Sequence, residues 1–177
     1  DADKVCTIVA TLLPENSIVC DESVSSGRLF YANCHRAPRH DYIQLTGGAI
    51  GEGIPLCVGA AVACPDRKVI GMQADGSGMY TVQGLWTQAR ENLDIVTVIF
   101  ANRTYQILHG EMRAVGVNDF GRNATLMLNL DEPALDWVLM AKGMGVEAAR
   151  ATTAEEFTTL FRAALGRKGP FLIEAVI

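Results

Sequence analysis

Two short segments hold the residues best suited to do chemistry. Ala74-Asp75-Gly76-Ser77-Gly78-Met79-Tyr80 follows an apolar run and opens a stretch with helical patterning. Free N–H groups and the positive dipole end at a helix N-terminus suit a phosphate. Gly76 and Gly78 let backbone come close to a ligand, Ser77 adds a hydroxyl, and Tyr80 lies about one turn behind. An acid at Asp75 would repel an anion unless a divalent cation stood between them. Twenty-seven positions later a second apolar run ends in Ala101-Asn102-Arg103-Thr104-Tyr105. A hard cation such as Mg²⁺ takes oxygen ligands, usually a few from protein and the rest from phosphate and water. The Asp75 carboxylate, the Asn102 amide oxygen and the Thr104 backbone carbonyl form such a set. Plainer alternatives stay open on these residues alone: Asp75 as a helix cap beside a tight glycine turn, and Asn102 as a turn residue.

Two further loops bear on the same chemistry. Thr46-Gly47-Gly48-Ala49-Ile50-Gly51-Glu52-Gly53 is rich in glycine but reads G-x-x-G-x-G, with Leu56 where a dinucleotide fingerprint would end in glycine. The dinucleotide reading is therefore rejected; a turn feeding a helix, with Ile50 in the core, stays open. Glu22-Ser23-Val24-Ser25-Ser26-Gly27 offers hydroxyls to an anion cradle. A nucleotide domain would need a P-loop lysine or a ribose-binding acid, and neither motif is present. His35 and His40 lie near Cys34, but no second ligand pair has zinc-like spacing, which favours surface or hydrogen-bonded histidines. His109 follows the second segment and receives no role.

The elements that would position these residues alternate. Helices are expected over Lys4–Leu13, Pro55–Cys64, Gly76–Asn92, Pro133–Gly143 and Thr153–Leu165, the last opened by a Thr153/Glu156 capping box. In the third, Val82, Leu85, Trp86 and Ala89 should face inward. Strands are expected over Ser17–Asp21, Val69–Gln73, Asp94–Ala101 and Phe171–Ile177, and the stretch after Ala101 reads as irregular and polar. Apolar strands separated by helices indicate an α/β fold, a doubly wound, mainly parallel sheet with helices on both faces. Such sheets bind ligands beyond the carboxyl ends of their strands, which points to the loops at 21–28, 46–53, 74–80 and 101–109.

Bulk properties narrow the function. The 177 residues fit one domain, 1–177, and the opening helix and closing strand suggest a piece of a longer protein. A net charge of −5, with 15 scattered basic residues, argues against nucleic acid as a partner. No run approaches the roughly 20 apolar residues of a membrane span. Five cysteines without a Cys-x-x-Cys pair read as reduced thiols in a cytoplasmic protein.

The pairing of Asp75 with Asn102 resembles the Gly-Asp-Gly … Asn-Asn signature of thiamine-diphosphate-dependent enzymes. DGSGMYTVQGLWTQARENLDIVTVIFANRTYQIL is similar to that family throughout, closest to its acetolactate synthase and benzoylformate decarboxylase branch. The resemblance runs from about Ser17 to the C-terminus. Ala74 and Ala101 replace one glycine and one asparagine of the signature, and neither change removes a metal-ligating group.

The resemblance implies thiamine diphosphate and Mg²⁺ as cofactors, with Asp75, Asn102 and Thr104 on the metal. Ser25, Gly76, Ser77 and Tyr80 would meet the diphosphate. The Gly48 carbonyl would accept from the 4′-amino group, and Ile50 would bend the cofactor into its V shape. It further implies a 2-oxo acid substrate, with decarboxylation or carboligation as the reaction. The catalytic residue is expected outside this chain: a glutamate on a pyrimidine-binding domain of a neighbouring subunit, in a homodimer or homotetramer. An acetolactate-synthase-like carboligase is the first reading and a benzoylformate decarboxylase the second. A non-catalytic module that kept the cofactor site is the third.

Overall fold

The computed structural model describes residues 1–177. Its first helix, α1 (Ala2–Leu12), is capped by Asp1, whose carboxylate accepts from the Lys4 N–H at 3.0 Å. Val5, Val9 and Leu13 are buried along one side, and Pro14 follows immediately. The chain continues through β1 (Ser17–Glu22), two short helices α2 (Val24–Gly27) and α3 (Leu29–Asn33), and β2 (His40–Gln44). Next come α4 (Gly53–Ala63), β3 (Val69–Ala74), the single turn α5 (Asp75–Gly78), α6 (Gly84–Arg90) and β4 (Ile95–Ala101). The last third holds α7 (Gln106–Ala114), α8 (Arg122–Leu128), α9 (Trp137–Gly143), β5 (Glu147–Ala151), α10 (Ala154–Leu165) and β6 (Phe171–Val176).

All six strands are parallel, in the order β2-β1-β3-β4-β6-β5. Every residue of β4 is buried, as its nearly unbroken apolar run requires of a strand covered on both faces. Val96, Val98 and Phe100 meet α1 and α10 on one side, where Val9, Phe157 and Phe161 complete the largest core cluster. Ile99 and Ala101 face the opposite way, against Ile54, Leu85 and Trp137, while Ile95 packs with Cys57 and Ala61 of α4. The fold is thus doubly wound. The strand order reverses between β1 and β3, and that reversal opens a crevice at their carboxyl ends.

Several expectations need correction. The helix anticipated over 76–92 is broken: Gly76 and Gly78 propagate a helix poorly, so α5 stops at Gly78 and α6 begins at Gly84. Within α6 Leu85 goes to the core, while Trp86, about 100° further round the helix, is 52% exposed under the Arg90 guanidinium. The stretch after Ala101 is not irregular, since α7 and α8 occupy most of it. The helix expected from Pro133 starts at Trp137, where Asp136 caps it through the Leu139 N–H. Two strands went unanticipated. β2 and β5 are the sheet's edges, carry charged residues and bury only part of their side chains, so they lack an apolar run. The Thr153/Glu156 capping box is present, the five cysteines are free, and no helix is long and apolar enough to cross a membrane.

Candidate functional site

Strand register brings the two chemical segments together. Ala74 of β3 pairs with Phe100 of β4, so Asp75 and Asn102 leave neighbouring strands at the same carboxyl edge. They line one cavity of about 250 Å³, together with Ser25, Gly48, Ile50, Gly76, Ser77 and Thr104. Eight of the nine residues singled out in the sequence therefore line one cavity. Tyr80 does not: with α5 ending at Gly78 it stays 57% exposed, and its Cβ lies over Gly51.

Asp75 is the electrostatic centre. It is only 2% exposed, and its carboxylate accepts from the N–H of Arg103 at 2.6 Å and of Gly76 at 2.9 Å. Burial raises its pKa to about 6, against the lowering effect of those N–H groups. It makes no ion pair with any lysine, arginine or histidine. Asp75 is also not the N-cap of α5; Ala74 is. A buried carboxylate without a cationic partner is costly, and a bound cation would relieve the cost.

The other oxygen donors are held in place. The Asn102 amide donates to Ser26 Oγ at 3.2 Å, and its oxygen accepts from the Thr104 N–H at 3.0 Å. The Thr104 hydroxyl donates to the Leu128 carbonyl at 3.0 Å and lies 3.1 Å from His109 Nε2. His109 is thereby tied to the loop, its ring edge-on to Phe120. Carboxylate, amide and peptide oxygens make a hard donor set that fits Mg²⁺ and not a soft metal. His35 and His40 lie elsewhere, each ring 2.7 Å from a backbone carbonyl.

The anion cradle differs in detail from the sequence reading. The Gly76 N–H is already engaged by Asp75, and Ser77 Oγ accepts from Gln73 Nε2 at 2.6 Å. A one-turn helix contributes little dipole, so an anion here would depend mainly on a metal. Gly76 still needs to be glycine, because a Cβ there would sit 2.5 Å from the Tyr105 ring. Gly48 holds φ +72° with open space around it. Ile50 is 50% exposed on the cavity wall and not in the core. A branched apolar side chain left half in water beside a glycine turn is available to a ligand.

Six lining residues were given no role from the sequence: Val24, Leu45, Ala74, Tyr105, Gln106 and Ile107. They sit in loops or at the ends of helices and a strand, where too few residues share one period to give a signal. Val24 at φ +49° and Arg103 at φ +57° hold left-handed backbone, each at a cost of about 1–3 kcal/mol. Both positions flank the same cavity, Val24 on its lining and Arg103 between the lining residues Asn102 and Thr104. Glu22, also missed, is 1% exposed and accepts from the N–H groups of Gly51 and Gly53.

Comparison with known proteins accords with this geometry. Residues 26–175 match the family model for the C-terminal thiamine pyrophosphate-binding domain of thiamine pyrophosphate enzymes. An acetolactate synthase-like large subunit of Mycobacterium tuberculosis is 52% identical over 96% of this chain and 33% of its own length. Benzoylformate decarboxylase of Pseudomonas aeruginosa is 34% identical over 97% of this chain and 31% of its own. The solved thiamine-diphosphate-dependent 4-hydroxybenzoylformate decarboxylase of Rhodococcus jostii superposes with a TM-score of 0.87 at 33% identity, covering 98% of this chain and 32% of that one. The chain spans about a third of the length of the curated relatives it matches. By fold, cavity and sequence together, it belongs to the C-terminal thiamine pyrophosphate-binding domains of thiamine pyrophosphate enzymes.

Proposed function

We propose that this chain is the diphosphate- and Mg²⁺-holding domain of a larger enzyme that decarboxylates or joins 2-oxo acids, first of all an acetolactate-synthase-like carboligase. The observation that carries this reading is one cavity lined by Asp75, Asn102 and Thr104 and also by Gly48 and Ile50. In it, Asp75, Asn102 and the Thr104 carbonyl hold the metal. Ser25, Gly76 and the Ser77 backbone border the diphosphate, while Gly48 and Ile50 take the aminopyrimidine side. Bound thiamine diphosphate would supply the electron sink that 2-oxo acid chemistry needs. This chain's part is to bind and orient it. About 250 Å³ is small beside the roughly 300–1,000 Å³ of complete ligand pockets, which supports a site finished by a second domain.

That second domain, in this reading, is a pyrimidine-binding domain of a neighbouring subunit, which brings the activating glutamate. Exposed Val115, Leu126 and Met127 on and beside α7 and α8 support burial of this face in a homo-oligomer. Free cysteines support a cytoplasmic setting. A benzoylformate-type decarboxylase is the second reading, favoured by the 33% identical neighbour of known structure.

Product analysis on the full-length protein tests the proposal. Pyruvate should yield acetolactate in the presence of thiamine diphosphate and Mg²⁺. Benzaldehyde from benzoylformate, without acetolactate, would transfer the assignment to the second reading. No turnover of either 2-oxo acid by a cofactor-loaded protein would leave a non-catalytic module.

A further inference from the structure

We propose that Glu22 is a positioning residue that holds the glycine loop of the cofactor site in its binding shape and so governs the pyrimidine end of the cofactor. The inference rests on the cofactor assignment above. Glu22 ends β1, 29 residues before Gly51 in sequence, yet its side chain reaches under the loop that follows β2. One carboxylate oxygen accepts from the Gly51 N–H at 2.5 Å. The other accepts from the Gly53 N–H at 2.6 Å and from Gln73 Nε2 at 3.2 Å. Glu22, Gly51 and Gly53 are all buried, so water does not substitute for these bonds.

The two N–H groups bracket the end of the arc that carries Gly48 and Ile50. Gly51 has φ +92°, and a Cβ on Gly53 would lie 2.8 Å from the Glu22 side chain, so the backbone is drawn close to the carboxylate. Beyond this clamp, the arc's other ties are the Thr46 N–H on Glu52, the Thr81 hydroxyl on the Gly51 carbonyl, and its own turns. Gly47 and Gly48 face open space. Nothing else buried fixes where the Gly48 carbonyl and the Ile50 side chain point.

The clamp is selective for one end of the site. Gln73 joins Glu22 to Ser77, but its bond to Ser77 Oγ at 2.6 Å is the shorter one and does not need the carboxylate. Glu22→Gln keeps a single acceptor oxygen and turns an amide NH₂ toward a backbone N–H. One of the two loop N–H groups then lies buried and unpaired.

The test uses the full-length protein and two ligands, each with Mg²⁺: thiamine diphosphate, and inorganic pyrophosphate as a probe of the diphosphate end alone. In Glu22→Gln, thiamine diphosphate should bind about tenfold more weakly, the factor expected for one lost charge-assisted bond, with pyrophosphate within twofold of wild type. Amide exchange at Gly51 and Gly53 should quicken at least tenfold without a matching change at Gly76 or Asn102. Equal losses for both ligands, no loss for either, or faster exchange throughout the domain would overturn the proposal. Should Glu22→Gln not fold, the same criteria apply to Glu22→Asp, which keeps the charge but is too short to reach both N–H groups. Failure of the cofactor assignment would look different: wild type would then bind neither ligand in a Mg²⁺-dependent way.

Discussion

Asp75→Asn in metal-free protein separates the electrostatic cost of the site from its use. The Asp75 carboxyl titrates near 3.8 when unfolded and, through burial, at about 6 in the fold. A folded pKa above the unfolded one means the fold favours the protonated acid. That contribution is full below pH 3.8 and is lost as pH rises through 6. At 1.36 kcal/mol per pH unit, the penalty for ionised Asp75 is about 1.6 kcal/mol at pH 5 and about 3 kcal/mol at pH 8. Asparagine does not ionise, although its NH₂ must face either the Arg103 or the Gly76 N–H, at a cost of about 1–3 kcal/mol that does not vary with pH. The stability of the asparagine variant relative to wild type should therefore improve by about 1.4 kcal/mol between pH 5 and pH 8 in EDTA. Guanidinium unfolding at both pH values measures the difference. Adding Mg²⁺ and thiamine diphosphate at pH 8 should stabilise wild type and leave the variant unmoved. A gap that is constant, or that shifts against the asparagine variant with rising pH, would refute the assignment of an uncompensated buried carboxylate.

Three other outcomes follow from particular contacts. Gly78→Ala would place a methyl 2.7 Å from the buried Trp137 ring and should cost about 1–3 kcal/mol, read as a lowered unfolding midpoint. Arg150→Ala strips the partner from Glu174, which is fully buried and already has one oxygen unpaired; a loss of about 3 kcal/mol is expected in denaturant titrations. The 177-residue chain by itself should bind Mg²⁺–thiamine diphosphate weakly and show no turnover. Measurable decarboxylation of pyruvate or benzoylformate by it would contradict the division of the site between domains.

What could be read from sequence depended on how each residue earns its place. β3 and β4 are buried on both faces and so appear as apolar runs, and the loops that end them carry Asp75 and Asn102 at readable positions. β2 and β5 escaped because edge strands bury little and tolerate charge, as Asp41, Glu147 and Arg150 do. Tyr80 was misplaced by assuming a continuous helix through two glycines. Glu22 went unseen because an acid beside a serine-rich loop looks solvated in sequence, whereas its partners lie on a loop about thirty residues away. Val24 opens the one-turn helix α2 and Leu45 lies in a loop, so the role of each depends on tertiary placement alone.

In the proposed site one divalent ion joins the ends of β3 and β4 to a pyrophosphate. Crystals of the full-length protein with thiamine diphosphate and Mn²⁺ in place of Mg²⁺ test it by anomalous scattering. One metal peak should be bonded to an Asp75 carboxylate oxygen, the Asn102 amide oxygen and the Thr104 carbonyl, at distances near the roughly 2.1 Å of a Mg²⁺ site. A metal peak elsewhere, or a diphosphate bound with no metal touching Asp75, would contradict it.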